Sequence, residues 1–408
     1  MTQDWKKKTV AFLISQGVSL FGSSLVSFAV VWYVTLTTSS GAWVSALTIC
    51  SFVPQFVISF FSGVWADRHS RKRLILLADS TIAVATLILA LLMPHIEEGT
   101  PLMAALLLVS VIRSTGAGVQ TPAVNAMIPQ LVPEEHLMRF NGINATLQSV
   151  VQFAAPAAAG AILTFSTLRG TLFIDVTTAI VGVGLLSCIA IPRQKWAETE
   201  DTISVFEDMK QGMKYAASHR FIGKLLLSYG LFIFLAVPAG FLATLFVSRT
   251  YGDSYFYMSV VEIVGFIGMA AGGVLIGTWG GFSDQVKTLL AGIAAFGALA
   301  VGMGAVRSFF GYLVLMAVYG IALTAVQTSV TTLIQERAEA AMQGRVFGFL
   351  GAMYSGFLPV GMAVFGPLAD AVPLRALMIG SGAALLVMAV VLGLDKSIWE
   401  SETGKEER

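Results

Sequence analysis

Between Val10 and Ala66 the chain has no Asp, Glu, Lys, Arg or His, and charge is scarce along its whole length. Only 12% of its 408 residues are charged and 56% are hydrophobic, against about 25% charged in an ordinary soluble protein. So few charges cannot cover a water-facing surface, and the bilayer is the expected solvent. Cysteine is nearly missing: Cys50 and Cys188 both sit in apolar runs, which excludes a disulfide framework. The four histidines (His69, His95, His136, His219) fall in loops without metal-ligand spacing, so no metal is expected. There is no G-x-x-x-x-G-K-[ST] loop; the Gly-Lys pairs read Gly223-Lys224-Leu225 and Gly404-Lys405-Glu406, which excludes ATP as a partner. No nucleophile, base and metal constellation marks an enzyme, and no cofactor is expected. A net charge of +1 offers nothing to a nucleic acid.

What is present is a series of apolar runs of helical length. One crossing needs about 20 residues, so the uncharged stretch from Val10 to Ala66 holds two, hinged at Thr37-Thr38-Ser39-Ser40-Gly41. Runs near residues 10–36, 43–65, 74–94, 102–122, 143–165 and 171–191 are followed by six more near 223–247, 256–279, 288–306, 311–334, 346–369 and 374–394. They are twice as long as barrel strands and do not alternate, which predicts an all-α integral membrane protein of twelve transmembrane helices. Lys6-Lys7-Lys8 precedes a run too long for a signal peptide, so the first helix is expected to stay uncleaved. With the N-terminus inside, all but five of the 25 Lys and Arg fall on cytoplasmic segments; Arg169, Arg249, Arg307 and Arg375 lie outside and Arg113 within a span. Retention of basic residues in cytoplasmic loops predicts both termini in the cytoplasm.

The hydrophilic stretch from Pro192 to Arg220 divides the runs six and six. The expected organisation is an N-terminal six-helix bundle (1–191), a cytoplasmic linker (192–220), a C-terminal bundle (221–395) and a cytoplasmic tail (396–408). In the linker, Ser204-Val205-Phe206-Glu207 reads as a capping box, with Phe206, Met209, Met213 and Ala216 on one face of an amphipathic helix. Such a helix lies on membrane lipid or serves as a solvated connector. Gly63-Val64-Trp65 is echoed by Gly277-Thr278-Trp279, and Ile128-Pro129-Gln130 by Leu333-Ile334-Gln335. Two six-helix repeats follow, an arrangement that places a substrate site at the repeat interface.

The loop Gly63-Val64-Trp65-Ala66-Asp67-Arg68-His69-Ser70-Arg71-Lys72-Arg73 sets an acid among four cations just inside the membrane. It resembles the signature loop of the major facilitator superfamily, G-x-x-x-D-R-x-x-R-[KR], with Ser70 where Gly is common. The resemblance implies that fold and a cytoplasmic gate built from Gly63, Asp67, Arg68, Arg71 and Lys72. On the residues alone, the cations are also accounted for as a positive-inside anchor. In the family the basic residues often pair with an acid at the inner end of span four, and this chain has none between Gly99 and Pro133.

Arg113 lies roughly 16 Å below the outer boundary of span four, close to the midplane. A guanidinium there costs at least about 3 kcal/mol unless it meets an anion or a wet cavity. A structural ion pair is one explanation. The surrounding Ser114-Thr115-Gly116-Ala117-Gly118 loosely resembles the family's second motif, which implies a part in proton coupling. In span five, Pro156 and Gly160 match the exporter motif G-x-x-x-G-P-x-x-G-G, with Ala155 and Ala159 where Gly is usual.

Three acids lie within spans. Asp79, two turns from the inner end of span three, is expected to pair with the basic loop, and Asp175, a turn below the outer face, to pair structurally. Glu262 lies about 10 Å down span eight and is the leading proton-coupling carboxylate, with Arg113 and Asp175 beside it as candidates. Gln16, Gln55, Gln148, Gln152 and Gln327, with Tyr229 and Phe232, are candidate cavity residues, although each is also an ordinary helix-packing residue. An apolar, aromatic pocket with few polar groups suits bulky amphipathic molecules.

The run Gln120 to Glu135 and the segments Gln335-Glu336-Arg337 and Gly344-Arg345-Val346 resemble bacterial drug:proton antiporters of the macrolide-efflux branch, and also its siderophore exporters. The resemblance implies a monomer in the bacterial inner membrane that exports hydrophobic or amphipathic molecules in exchange for protons. The alternatives are export of an endogenous metabolite such as a siderophore or lipid, and a transport-inactive sensor or scaffold.

Overall fold

The computed structural model describes residues 4–189, 213–215, 218–339 and 342–399, without side chains at 4, 60, 63, 64, 66–68, 134 and 138. The capping box and most of the amphipathic face expected in the linker lie outside the described residues.

Twelve helices among these are long and apolar enough to cross a membrane. They are α1 (Asp4–Thr38), α2 (Gly41–Arg68), α3 (Arg71–Leu92), α4 (Thr100–Leu131), α5 (Leu137–Phe165) and α6 (Leu168–Cys188), then the seventh span formed by α7 (Arg220–Gly240) and α8 (Ala243–Thr250). After it come α9 (Tyr255–Trp279), α10 (Gln285–Ala305), α11 (Phe309–Arg337), α12 (Gln343–Ala371) and α13 (Leu374–Leu394), with one closing turn, α14 (Lys396–Trp399). In hydrocarbon a backbone must satisfy its own hydrogen bonds, so uninterrupted apolar runs become helices. The seventh span breaks after Pro238-Ala239-Gly240, where proline removes a donor from the ladder.

Connections are short. Only Ser39 and Ser40 separate α1 from α2, and Ser39 turns the chain with φ 48. Thr167 and Asp284 cap α6 and α10 by accepting from the amides of Gly170 and Val286. Short links make consecutive helices antiparallel neighbours.

The contacts divide the chain into two units. Unit 1 holds Met1–Ser39, Ala46–Glu200 and Asp253–Val260; unit 2 holds Ser40–Ser45, Asp201–Gly252 and Val261–Arg408. In unit 1, α1 packs on α5 and α6, and α3 on α4 and α6. In unit 2 the same pattern recurs: α7 packs on α12 and α13, and α10 on α11 and α13. Each unit is thus a six-helix repeat with one packing scheme. Phe12, Ile75, Ala123, Met127 and Leu186 form a buried apolar cluster in unit 1. Leu77, Leu108 and Ile180 are exposed, as are Val274 and Leu394 in unit 2, which is the inversion expected where lipid is the solvent.

Candidate functional site

The midplane cation of unit 1 is matched by an acid from a third helix. Arg113 on α4 donates to the Asp175 carboxylate on α6, to the Thr86 hydroxyl on α3 at 2.5 Å and to the Ser23 carbonyl on α1 at 3.2 Å. Thr86 also donates to Asp175, at 3.2 Å. The side chains retain 12% and 2% of their exposure. The arrangement pairs Arg113 with Asp175, the ion pair that the sequence offers as one explanation of Arg113.

Arg113 sits on the wall of a cavity of about 390 Å³, which is lined wholly by unit 1 and includes Phe28, Phe52, Gln55, Ser51 and Gln152. A neighbouring chamber of about 130 Å³ is lined by amides: Gln16, Gln120, Asn125, Asn144, Gln148 and Gln152. Four of the amides expected on a cavity wall are therefore there, and Gln120 joins them on both walls. The wall mixes apolar and aromatic surface with Arg113, glutamine amides and a set of serine hydroxyls, which suits an amphipathic guest.

Asp79 corrects an expectation. Among the described side chains it pairs with none of the basic loop; it is buried on α3, and its Oδ1 accepts from Gln120 Nε2 at 2.8 Å. Depth is the reason. Asp79 lies about 10 Å along the helix from Lys72, at 1.5 Å rise per residue, and the nearer cations are used elsewhere. Arg71 donates to the Ala126 carbonyl at 2.7 Å, and Lys72 to the Ser187 and Ile189 carbonyls at 2.8 Å each. Lys72 thereby caps the end of α6 within unit 1, where a cation suits the negative pole. The side chains of Gly63, Asp67 and Arg68 lie outside the described residues.

At the exporter motif, Ser259 from the start of α9 donates to the Pro156 carbonyl at 2.8 Å. A Cβ on Gly160 would stand 1.7 Å from Ser259 Oγ and 2.7 Å from its Cβ. Glycine is required here because α5 and α9 touch backbone to side chain.

In unit 2, Glu262 is half-buried on α9. No hydrogen bond or ion pair engages it among the described residues. Phe232 corrects a second expectation. It is fully buried and packs edge-on against Phe296 at 4.8 Å between centroids, so it is core and not a cavity wall. Its position on α7 places it towards α10, because the face that carries it is the apolar one. Tyr229 is also buried and stacks on it at 6.5 Å. Gln327 is exposed on its own unit.

One node has no local signal in the sequence. Asp370 on α12 accepts from the Ser40 hydroxyl at 2.7 Å and from the amides of Gly41 at 2.7 Å and Ala42 at 3.0 Å, with Arg249 donating at 2.7 Å. The start of α2 is thus capped by an acid more than 300 residues later, within unit 2. At the other end of that unit, Lys224 meets Asp395, whose carboxyl is lowered to about 2 by hydrogen bonds from Lys224 and Ser397. That clamp loosens only as pH falls from the ordinary carboxylate range to about 2, so it contributes no pH dependence near neutrality.

The sequence profile of the Major Facilitator Superfamily matches residues 12–361. Macrolide efflux protein A of Streptococcus pyogenes is 29% identical over 390 residues, covering 95% of this chain and 96% of that protein. The multidrug efflux pump Tap of Mycobacterium bovis is 22% identical over 378 residues, covering 87% and 85%. Among solved structures, a variant of the nucleoside transporter NupG superposes with a TM-score of 0.75 at 14% identity, over 95% of this chain and 99% of that one. A bacterial homologue of the iron transporter ferroportin gives 0.70 at 16% identity, over 96% and 100%. Those two likenesses are of fold. With twelve apolar helices in two like-packed units and a profile match across most of its length, this multi-pass membrane chain belongs to the Major Facilitator Superfamily.

Proposed function

We propose that the protein exports hydrophobic or amphipathic small molecules of the macrolide-like class in exchange for protons, by alternating access of its two six-helix halves. The observation that carries this reading is the cavity of about 390 Å³, whose apolar and aromatic surface is interleaved with Arg113, glutamine amides and serine hydroxyls. Its size falls in the range of about 300–1,000 Å³ usual for drug-sized ligands. The likeness to macrolide and multidrug efflux proteins along most of the chain supports export, and their bacterial sources support a bacterial cytoplasmic membrane. Protons are the proposed energy source because no phosphate loop is present and ionisable groups sit at membrane depth. Asp67, Arg68 and their neighbours in the second loop are proposed as the cytoplasmic gate.

Glu262 is the proposed coupling carboxylate of unit 2. Moving one charge through about 100 mV yields ~2.3 kcal/mol, and 1.4 kcal/mol is about a factor of ten. One proton thus sustains a gradient of roughly fifty-fold. In proteoliposomes loaded with an amphipathic drug, an inward proton gradient should drive drug accumulation. Glu262→Gln should still bind drug yet lose uphill, pH-dependent transport. Survival of both in that variant would place the coupling group elsewhere, and absence of drug movement in the wild type would sink the exporter reading.

Both termini are proposed to be cytoplasmic. A cysteine at Gly99 should react with an impermeant thiol reagent added outside intact cells, and one at Ser70 should not. The reverse labelling would invert the topology.

A further inference from the structure

Among the described residues of unit 1, Asp79 is the charge at membrane depth without a counter-charge. Arg113 and Asp175 pair with each other on α4 and α6, the two helices that pack on α3, and Asp175 stands to Asp79 as a like charge. On α3 itself, Arg71 and Lys72 are tied to carbonyls about two turns away, and Arg73 is exposed. Asp79 is 4% exposed and has no cation partner among the described residues. Its Oδ1 accepts one hydrogen bond, from Gln120, while Oδ2 is buried without any. An ionised carboxylate held this way is costly, and nothing in the packing explains its presence.

Its single partner faces the cavity. Gln120 lines both chambers, and its Nε2 also lies 3.4 Å from Gln16 Oε1, which is on the wall of the smaller one. The amide of Gln120 therefore stands between the carboxylate and any guest.

We propose that Asp79 is a proton-binding carboxylate wired to the cavity through Gln120, so that a proton on Asp79 and a donor-bearing or cationic guest in the cavity oppose one another. This rests on the reading of the protein as a proton-driven exporter and names the chemistry of its cargo.

The sign follows from the amide. A guest hydroxyl or ammonium that donates to Gln120 Oε1 holds the Nε2 group towards Asp79 and strengthens that bond, since chained hydrogen bonds polarise one another. The ionised carboxylate is then favoured. The O–H bond at Oδ2 breaks, its electron pair stays on the carboxylate and the proton leaves to solvent entering the cavity. A cationic guest adds attraction of the same sign and leaves the site neutral. A guest that only accepts would draw Nε2 away from Asp79 and couple in the opposite direction. The site thus selects cargo with a positive charge or hydroxyl donors, and proton and cargo exchange at one node. The coupling is reciprocal, so cargo affinity must depend on pH as proton affinity depends on cargo.

The test uses purified full-length protein in lipid nanodiscs with tetraphenylphosphonium as the cationic probe. Wild type should release a proton on binding in lightly buffered solution with a pH indicator. Its affinity should rise with pH by up to about tenfold per unit, the limit for one linked proton. Asp79→Asn should bind the probe without release and without pH dependence. Persistence of release in Asp79→Asn would overturn the proposal. If Asp79→Asn does not run as a folded species on size exclusion, Gln120→Leu decides: the linkage should vanish there, and wild-type linkage would overturn the proposal. Probe binding to wild type with no proton release removes the proton-exchange reading itself; release that survives Asp79→Asn removes only the role of Asp79.

Discussion

Asp175→Asn should be among the most damaging single changes in unit 1, lowering stability by about 3 to 5 kcal/mol, the usual cost of breaking a buried ion pair from one side. The acid is almost fully buried, and its loss leaves the Arg113 guanidinium with only a hydroxyl and a carbonyl as partners. The expected readout is a large fall in the thermal midpoint of the detergent-solubilised protein and little folded protein in membranes. Arg113→Gln combined with Asp175→Asn should recover much of the stability, because no uncompensated charge remains. The double variant also separates two roles. If it folds and still transports, the pair is structural; if it folds and transport is lost, Arg113 also serves the cavity that it lines. Additive losses in the two single variants would show that the side chains are not energetically coupled.

Gly160→Ala should abolish or nearly abolish transport, although it adds one methyl group. That methyl would stand 1.7 Å from Ser259 Oγ and 2.7 Å from Ser259 Cβ. Rotating the serine relieves the first clash at the loss of its hydrogen bond to Pro156, and does nothing for the second. Helix α9 must then move off α5, a form of overpacking that costs about 1 to 3 kcal/mol. Ser259→Gly in the same chain removes both clashing atoms and should restore transport. Failure of that rescue would mean that Gly160 matters for its backbone freedom and not for the contact. Since a proline-glycine pair in a membrane helix is also ordinary packing, the rescue is the informative measurement.

How far these sites were legible in the sequence depends on what each requires. Arg113 and Glu262 announce themselves singly, since an ionisable residue inside an apolar run is costly wherever it points. The amides of the cavity wall were likewise visible as polar residues in apolar helices, and four of the five lie on one cavity or the other. Gln120 has the same signature, yet nothing local separates it from its neighbours in the run Gln120 to Glu135. Proximity along the helix points Asp79 at the basic loop, whereas its described partner is Gln120 on α4. Asp370 carries no such local signal, as its partners at Ser40 to Ala42 begin another helix far away in the chain. Phe232 failed differently: an aromatic on a transmembrane helix suits core and cavity equally, and only its neighbour Phe296 decides.

The sequence by itself determined the solvent, the secondary structure, the number of crossings and the division into repeats. Those follow from local composition, because hydrocarbon forces any long uncharged segment to satisfy its backbone as a helix. It also specified depth, because a helix advances a constant 1.5 Å per residue. Which side chains meet at a given depth was decided only by the tertiary structure. A helix offers several faces to several neighbours, and the choice among them rests on packing between segments that are distant in the chain. Arg113 therefore joins Asp175, Asp79 joins Gln120 and Ser259 joins Pro156, pairs 62, 41 and 103 residues apart.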